Sequence, residues 1–337
     1  MTEPSRVSVT IDLEADGKRF GALNVPHSSN ESAWGAVRVP IAVIRNGAGP
    51  TLLFTGGNHG DEYEGPIALL KLARSLEPER VAGRVILIPA LNLPAVLAGT
   101  RVSPIDQVNM NRAFPGRWDG TVTSMIADYV TRHILPSCDA VIDLHAGGKT
   151  LSFVPFCGIH VLADPAQMAR ARAAMLAFSA PISLMIEEFD VAGMLDTAVE
   201  RLGKPFLFTE LGGGGAASAA TVAIAERGIE NVLKHFEVIE GAPEPSETRL
   251  MHSPDASYFV VSEDRGLFEL LLDLGAEVDV GQPVAQIHDV ERPARAPVEY
   301  RAERAGLLIG RRWPGLTAPG DCLAVIATDH PDAGASA

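Results

Sequence analysis

Two histidines and two glutamates, each set at the end of a short apolar run, are the residues of this 337-residue chain best suited to chemistry. His59 and Glu62 stand in "TGGNHGDEYEG" (55–65) behind "TLLF", His145 lies in "DAVIDLHAGG" (139–148), and Glu210 lies in "FLFTELGGGG" (206–215). Catalytic zinc is commonly held by three protein ligands, two His and one Glu being one such set, with the fourth position left to water. One turn can aim both His59 and Glu62 inward, and His145 can arrive from an adjacent strand. For "HGDE" alone a solvated turn is the alternative, because H-x-x-E recurs by chance. Hydrolysis at such a centre also needs a carboxylate that takes a proton from water and returns it to the leaving nitrogen. Glu210 is the candidate for that task, against the simpler possibility that it only pairs at a strand end.

A third group lies in "GTRVSPIDQVNMNRAFPG" (99–116), a loop punctuated by Gly and Pro. An Arg there can grip a carboxylate with two parallel hydrogen bonds, which Lys cannot reproduce. Arg112 with Asn111 is the candidate anchoring pair, and Arg101 could point at a carbonyl and stabilise its developing negative charge. The glycines Gly212 to Gly215 lack the lysine and hydroxyl of a phosphate loop, so a nucleotide cradle is set aside.

These residues need elements to position them. From 51 to 236, "TLLFTG", "RVILIPALN", "DAVIDLHAGG" and "KPFLFTELGG" read as strands. Between and after them, "GPIALLKLARSL", "TSMIADYVTRHIL", "AQMARARAAMLAF" and "ASAATVAIAERGIENVLKHF" read as helices. The alternation predicts an α/β fold with a mainly parallel sheet, and ligands gather at the carboxyl ends of such strands. His59, Glu62, Asn92, His145 and Glu210 all fall there. "EVIEGAPEPSETRL" (237–250) reads as a linker, and 254–328 as a small β-rich unit of short runs and Gly-Pro turns. The domains expected are a catalytic unit over 1–240, with an N-terminal β extension over 1–48, and a β-rich domain over 250–330. The tail "TDHPDAGASA" is expected to be disordered.

A net charge of −14 without Lys/Arg clusters argues against nucleic acid. Three cysteines without CxxC spacing support neither a disulfide framework nor a thiolate zinc site. The N-terminus is too polar for a signal peptide, and no apolar run is long enough for a membrane span. The expectation is a soluble cytoplasmic protein with a small-molecule partner, a homo-oligomer being left open.

Taken in order, "GGNHGDEYEG", "NMNRAFPG", "DLHAGG" and "FTELGGGG" resemble the succinylglutamate desuccinylase/aspartoacylase family, a branch of the zinc carboxypeptidase-like hydrolases. The resemblance spans most of the chain and implies one Zn2+ per subunit on His59, Glu62 and His145. It also implies Glu210 as general base and acid, Asn111 and Arg112 on the substrate carboxylate, and Arg101 on the amide carbonyl. The fold implied is a mixed, mainly parallel sheet with helices on both faces, followed by a biotinyl/lipoyl-like β domain. No lysine occurs from 240 to 337, so that domain carries no lysine-linked cofactor. The phrases "SAWGAVRVPIAVIRNG", "AGTRVSPID" and "GGKTLSFVPF" are closest to the family's ectoine-degrading group. The reaction implied is hydrolysis of N2-acetyl-L-2,4-diaminobutyrate to acetate and the diamino acid. The alternatives are a deacylase of an N-acetylaspartate- or N-succinylglutamate-like substrate, and a metal-free binding module. Many relatives have Asp where this chain has Asn109, so the residue that orients His59 is open, with Asp106 and Asp143 as candidates.

Overall fold

The computed structural model describes residues 5–187 and 192–334. Every residue of the strands Thr51–Gly56, Gly83–Ile88 and Ala140–His145 is buried, as their unbroken apolar sequences require of strands covered on both faces. Among the described residues six α-helices follow one another: α1 (Glu64–Ser75), α2 (Leu93–Ala98), α3 (Val122–Tyr129), α4 (Pro165–Phe178), α5 (Leu195–Glu200) and α6 (Ala219–His235). Successive strand side chains point to opposite faces. Leu52, Phe54, Ala140 and Ile142 accordingly join the core beneath α1, α4 and α6, and Leu53 and Val141 join the core beneath α3 and α5.

Thr51–Gly56 lies parallel to both Gly83–Ile88 and Ala140–His145, and Ala140–His145 lies parallel to Phe206–Glu210. Phe206–Glu210 runs antiparallel to Phe156–His160, which is parallel to Ile182–Ile186. On the other side, Gly17–Pro26 and Ala36–Asn46 form a long antiparallel ribbon that joins the sheet at Gly83–Ile88. The sheet is therefore mixed, with helices on both faces. Phe156–His160 and Ile182–Ile186 were not among the strands read from the sequence.

The C-terminal part is woven into this sheet. Arg249–Ser253 pairs in parallel with Ile182–Ile186, Cys322–Asp329 pairs with Arg249–Ser253, and Gly306–Arg312 pairs with Leu151–Phe153. A second, four-stranded sheet contains Val298–Arg301, Pro283–His288, Gly266–Leu270 and Leu316–Thr317. The 237–250 segment is no free linker: Ile239 bridges to Val81, Glu244 exchanges hydrogen bonds with Asn231, and Ser246 with Ser179. Nor is the tail loose from 328 onward, since Asp329 ends a strand and Pro331–Gly334 forms a 3-10 turn; residues 335–337 lie outside the described residues. Among the described residues no helix is long and apolar enough to cross a membrane.

Candidate metal centre and active site

The chain leaves Thr51–Gly56 at the carboxyl edge of the sheet and must turn within a few residues to enter α1. Gly60 makes this possible: a Cβ there would sit 2.0 Å from the Ala95 carbonyl carbon. With the loop pressed onto α2, His59 and Glu62 face inward, 4% and 3% exposed. His145 is the last residue of its strand and stands level with Glu210, the last of the next strand, in the parallel register. The strand ends so converge as the alternation predicted.

One ligand atom from each of His59, Glu62 and His145 lies within 4.8 Å of the others. Glu62 spans the pair, with Oε1 2.8 Å from His59 Nδ1 and Oε2 2.8 Å from His145 Nδ1. The far ring nitrogens are held from behind. His59 Nε2 is 3.1 Å from Asn109 Oδ1, and His145 Nε2 is 2.8 Å from Asp143 Oδ2. Asn109 Oδ1 also accepts the Asn111 N–H at 2.9 Å, so this atom is the amide's oxygen and the proton resides on His59 Nε2. Nδ1 of a neutral His59 is then a lone pair aimed at a carboxylate oxygen, an arrangement that a cation between them resolves. His145, wedged between two carboxylates, poses the same demand.

The same contacts set the titration of these groups. Burial alone would raise the Glu62 carboxyl, but the two imidazoles beside it outweigh that and hold it well below the usual range. Burial disfavours protonation of His145, yet Asp143 and Glu62 lift it well above an ordinary histidine. Asp143 is kept low against its burial by His145, by Thr55 Oγ1 at 2.7 Å and by Asn58 Nδ2 at 2.8 Å. The donor set of two imidazole nitrogens and a carboxylate suits a borderline-soft divalent cation.

Asn109 therefore orients His59 with an amide oxygen, and neither alternative carboxylate takes that place. Asp143 serves His145, and Asp106 is engaged by the backbone N–H and hydroxyl of Thr123 at the start of α3. Asn58, in the same motif as His59, escaped the sequence reading.

A cavity of about 320 Å³ opens beside this cluster, lined among others by His59, His145, Glu210, Arg101, Asn111 and Arg112. Glu210 Oε2 is sheltered from solvent with no hydrogen-bond partner among the described residues. Burial, reinforced by the Glu62 anion, pushes the Glu210 carboxyl up to about 8. Gly212 to Gly215 all have positive φ, 98°, 146°, 73° and 68°, which turns the chain away beyond Glu210. Arg101 Nη1 approaches His59 Nδ1 at 3.4 Å and Glu62 Oε1 at 3.7 Å, so its guanidinium points at the cluster. Asn111 Oδ1 accepts from the Leu195 N–H at 3.1 Å, pinning the start of α5. All seven candidates thus meet in one place.

The cavity also draws on residues without a sequence signal: His160, Met194, Asp196 and, from the C-terminal part, Phe259. Within "IEEFD" (186–190), an acidic run that offers carboxylates for a substrate ammonium but reads otherwise as an exposed loop, Glu187 lines the cavity and is exposed, while 188–190 lie outside the described residues.

Residues 48–236 match the model of the succinylglutamate desuccinylase/aspartoacylase catalytic domain. The chain is 52% identical over 326 residues to N-alpha-acetyl-L-2,4-diaminobutyric acid deacetylase of Halomonas elongata, covering 96% of this chain and 95% of that one. Among solved structures it is similar to the product-bound ectoine utilization protein EutE (DoeB) of Ruegeria pomeroyi, with a TM-score of 0.95, 53% identity, and 97% and 99% of the two chains covered. A succinylglutamate desuccinylase/aspartoacylase of Rhodobacter sphaeroides gives a TM-score of 0.92 at 43% identity, over 97% of this chain and 100% of that one.

Proposed function

The chain belongs to the succinylglutamate desuccinylase/aspartoacylase family, and from that membership we propose a zinc-dependent amidohydrolase. Its reaction is the hydrolysis of N2-acetyl-L-2,4-diaminobutyrate to acetate and L-2,4-diaminobutyrate, a step in ectoine breakdown. The observation that carries this reading is the 52% identity to a deacetylase of that substrate along 96% of the chain. Six of the seven site candidates line one cavity, and the seventh, Glu62, bridges His59 and His145 beside it, which supports it.

In this reading His59, Glu62 and His145 hold one Zn2+ per subunit, which when bound supplies Lewis acidity and a more readily deprotonated water. Arg112 and the Asn111 amide hold the substrate α-carboxylate, placing the acetyl amide between Arg101 and Glu210. Arg101 donates to the carbonyl oxygen as negative charge grows there. Glu210 takes the proton of the attacking water, a task suited to a carboxylate that burial has made basic. As the C–N bond breaks, the same proton passes to the departing nitrogen, so water is consumed and acetate and a free amine are released. Cys138, Cys157 and Cys322 are free thiols, which suits a reducing cytoplasm.

The test is a panel of acylated amino acids with the zinc-loaded protein: the N2- and N4-acetyl isomers of 2,4-diaminobutyrate, N-acetylaspartate and N-succinylglutamate. Highest kcat/KM on the N2-acetyl isomer is expected. A preference for either dicarboxylic substrate would overturn the substrate assignment, and loss of all activity on every metal tried would leave a binding module.

A further inference from the structure

We propose that Asp196 is the specificity residue of this cavity, accepting a side-chain ammonium of the substrate while Arg112 and Asn111 take its α-carboxylate. The proposal rests on the deacetylase reading above and adds the means by which the substrate's second amino group is recognised.

Asp196 is 6% exposed and lines the same cavity as Glu210, Arg101 and Arg112. Its Oδ1 accepts from the Thr197 backbone N–H and, at 3.0 Å, from the Thr197 hydroxyl. No described residue donates to Oδ2. Among the described residues only Thr197 hydrogen-bonds this carboxylate, which leaves it capacity to accept from a ligand. Burial accordingly raises the Asp196 carboxyl, and the nearby His160 opposes this only in part. That histidine is itself occupied, its Nδ1 lying 3.0 Å from Glu200 Oε1. A cation entering the cavity would supply the missing donor.

The placement suits a zwitterion. Asn111 Oδ1 binds the Leu195 N–H, so the carboxylate-anchoring loop is fastened to the residue immediately before Asp196. A ligand with carboxylate and ammonium a few bonds apart can reach both. A side-chain carboxylate, as in acyl aspartate or glutamate, would instead meet a like charge. Among the described residues Glu187 is a competing acid on the cavity wall, but it is exposed, and a solvated ion pair contributes little.

The experiment compares N2-acetyl-L-2,4-diaminobutyrate with N-acetyl-L-2-aminobutyrate, its analogue without the ammonium, on wild type, Asp196→Asn and Glu187→Gln. Asp196→Asn should lower kcat/KM on the diamino substrate by about 10- to 100-fold, the worth of a hydrogen bond to a charged group. Turnover of the neutral analogue should change less than about threefold, which also reports that the variant folds. Equal loss on both substrates, no loss on either, or discrimination that vanishes with Glu187→Gln instead would overturn the proposal. Asp196→Glu provides a second variant, expected to shift preference toward the shorter 2,3-diaminopropionate derivative. Calorimetry of L-2,4-diaminobutyrate against L-2-aminobutyrate separates the two readings. If wild type hydrolyses neither acetyl compound, the deacetylase reading fails, whereas the ammonium site stands or falls on whether Asp196→Asn abolishes the preference for the diamino acid.

Discussion

Glu210 is positioned by backbone register and made basic by its surroundings, and these two facts predict separate outcomes. Replacing it by Gln keeps the shape and the three metal-ligand candidates, so zinc content should be retained while kcat falls by about 10²- to 10⁴-fold. Near wild-type turnover would remove Glu210 from the mechanism. Its folded pKa lies at about 8, above the ordinary 4.5. The stability it contributes is therefore present below the unfolded pKa and lost as pH rises toward 8. In metal-free protein Glu210→Gln should melt above wild type at pH 8, with the gap narrowing toward pH 4.5; a constant gap in thermal melts would contradict this. Asn109 predicts a third outcome. Asn109→Ala removes the acceptor for His59 Nε2, and zinc affinity measured by chelator competition should drop about 10- to 100-fold. A variant that binds as tightly as wild type would show that His59 needs no such support.

At the scale of elements, the loop from Thr51–Gly56 into α1 is the part that turns a strand end into a ligand pair. The Cβ of Gly60→Ala would fall inside the van der Waals shell of the Ala95 backbone, so either the loop or α2 must shift. Overpacking of this kind costs about 1–3 kcal/mol. Both Tm and zinc affinity should fall, because the displaced segment carries His59 and Glu62; a variant that loses neither would refute the close approach. The apolar runs, the helical periods and the strand-end position of each polar candidate were legible in the sequence because both faces of this sheet are buried. Phe156–His160 and Ile182–Ile186 were less legible: Gly158, His160 and Ser183 interrupt their apolar runs, and Phe156–His160 runs antiparallel to Phe206–Glu210, against the parallel order that the alternation suggests.

For the whole molecule, the central strands share one sheet with Arg249–Ser253, Cys322–Asp329 and Gly306–Arg312 of the C-terminal part. Gly306–Arg312 pairs with Leu151–Phe153, and Phe259 reaches the cavity wall. A chain ending at residue 240 would lose one of the two partners of Ile182–Ile186, Arg249–Ser253, and expose that strand's edge. We expect such a truncation to be insoluble or to lack cooperative melting, and to be inactive with zinc. A soluble, active fragment would show that the catalytic unit is complete without the C-terminal strands.

The amino-acid sequence by itself determined the metal-ligand candidates, the general-base candidate and the guanidinium loop, because each is a polar residue set against apolar or Gly-rich surroundings. Only the tertiary structure decided that Asn109 stands behind His59, that Asp143 stands behind His145, and that Asp196 and Phe259 face the same cavity. Those facts depend on which strands become neighbours and in what register. Pairing of this kind joins residues far apart in the chain, and no local pattern of residue types encodes it.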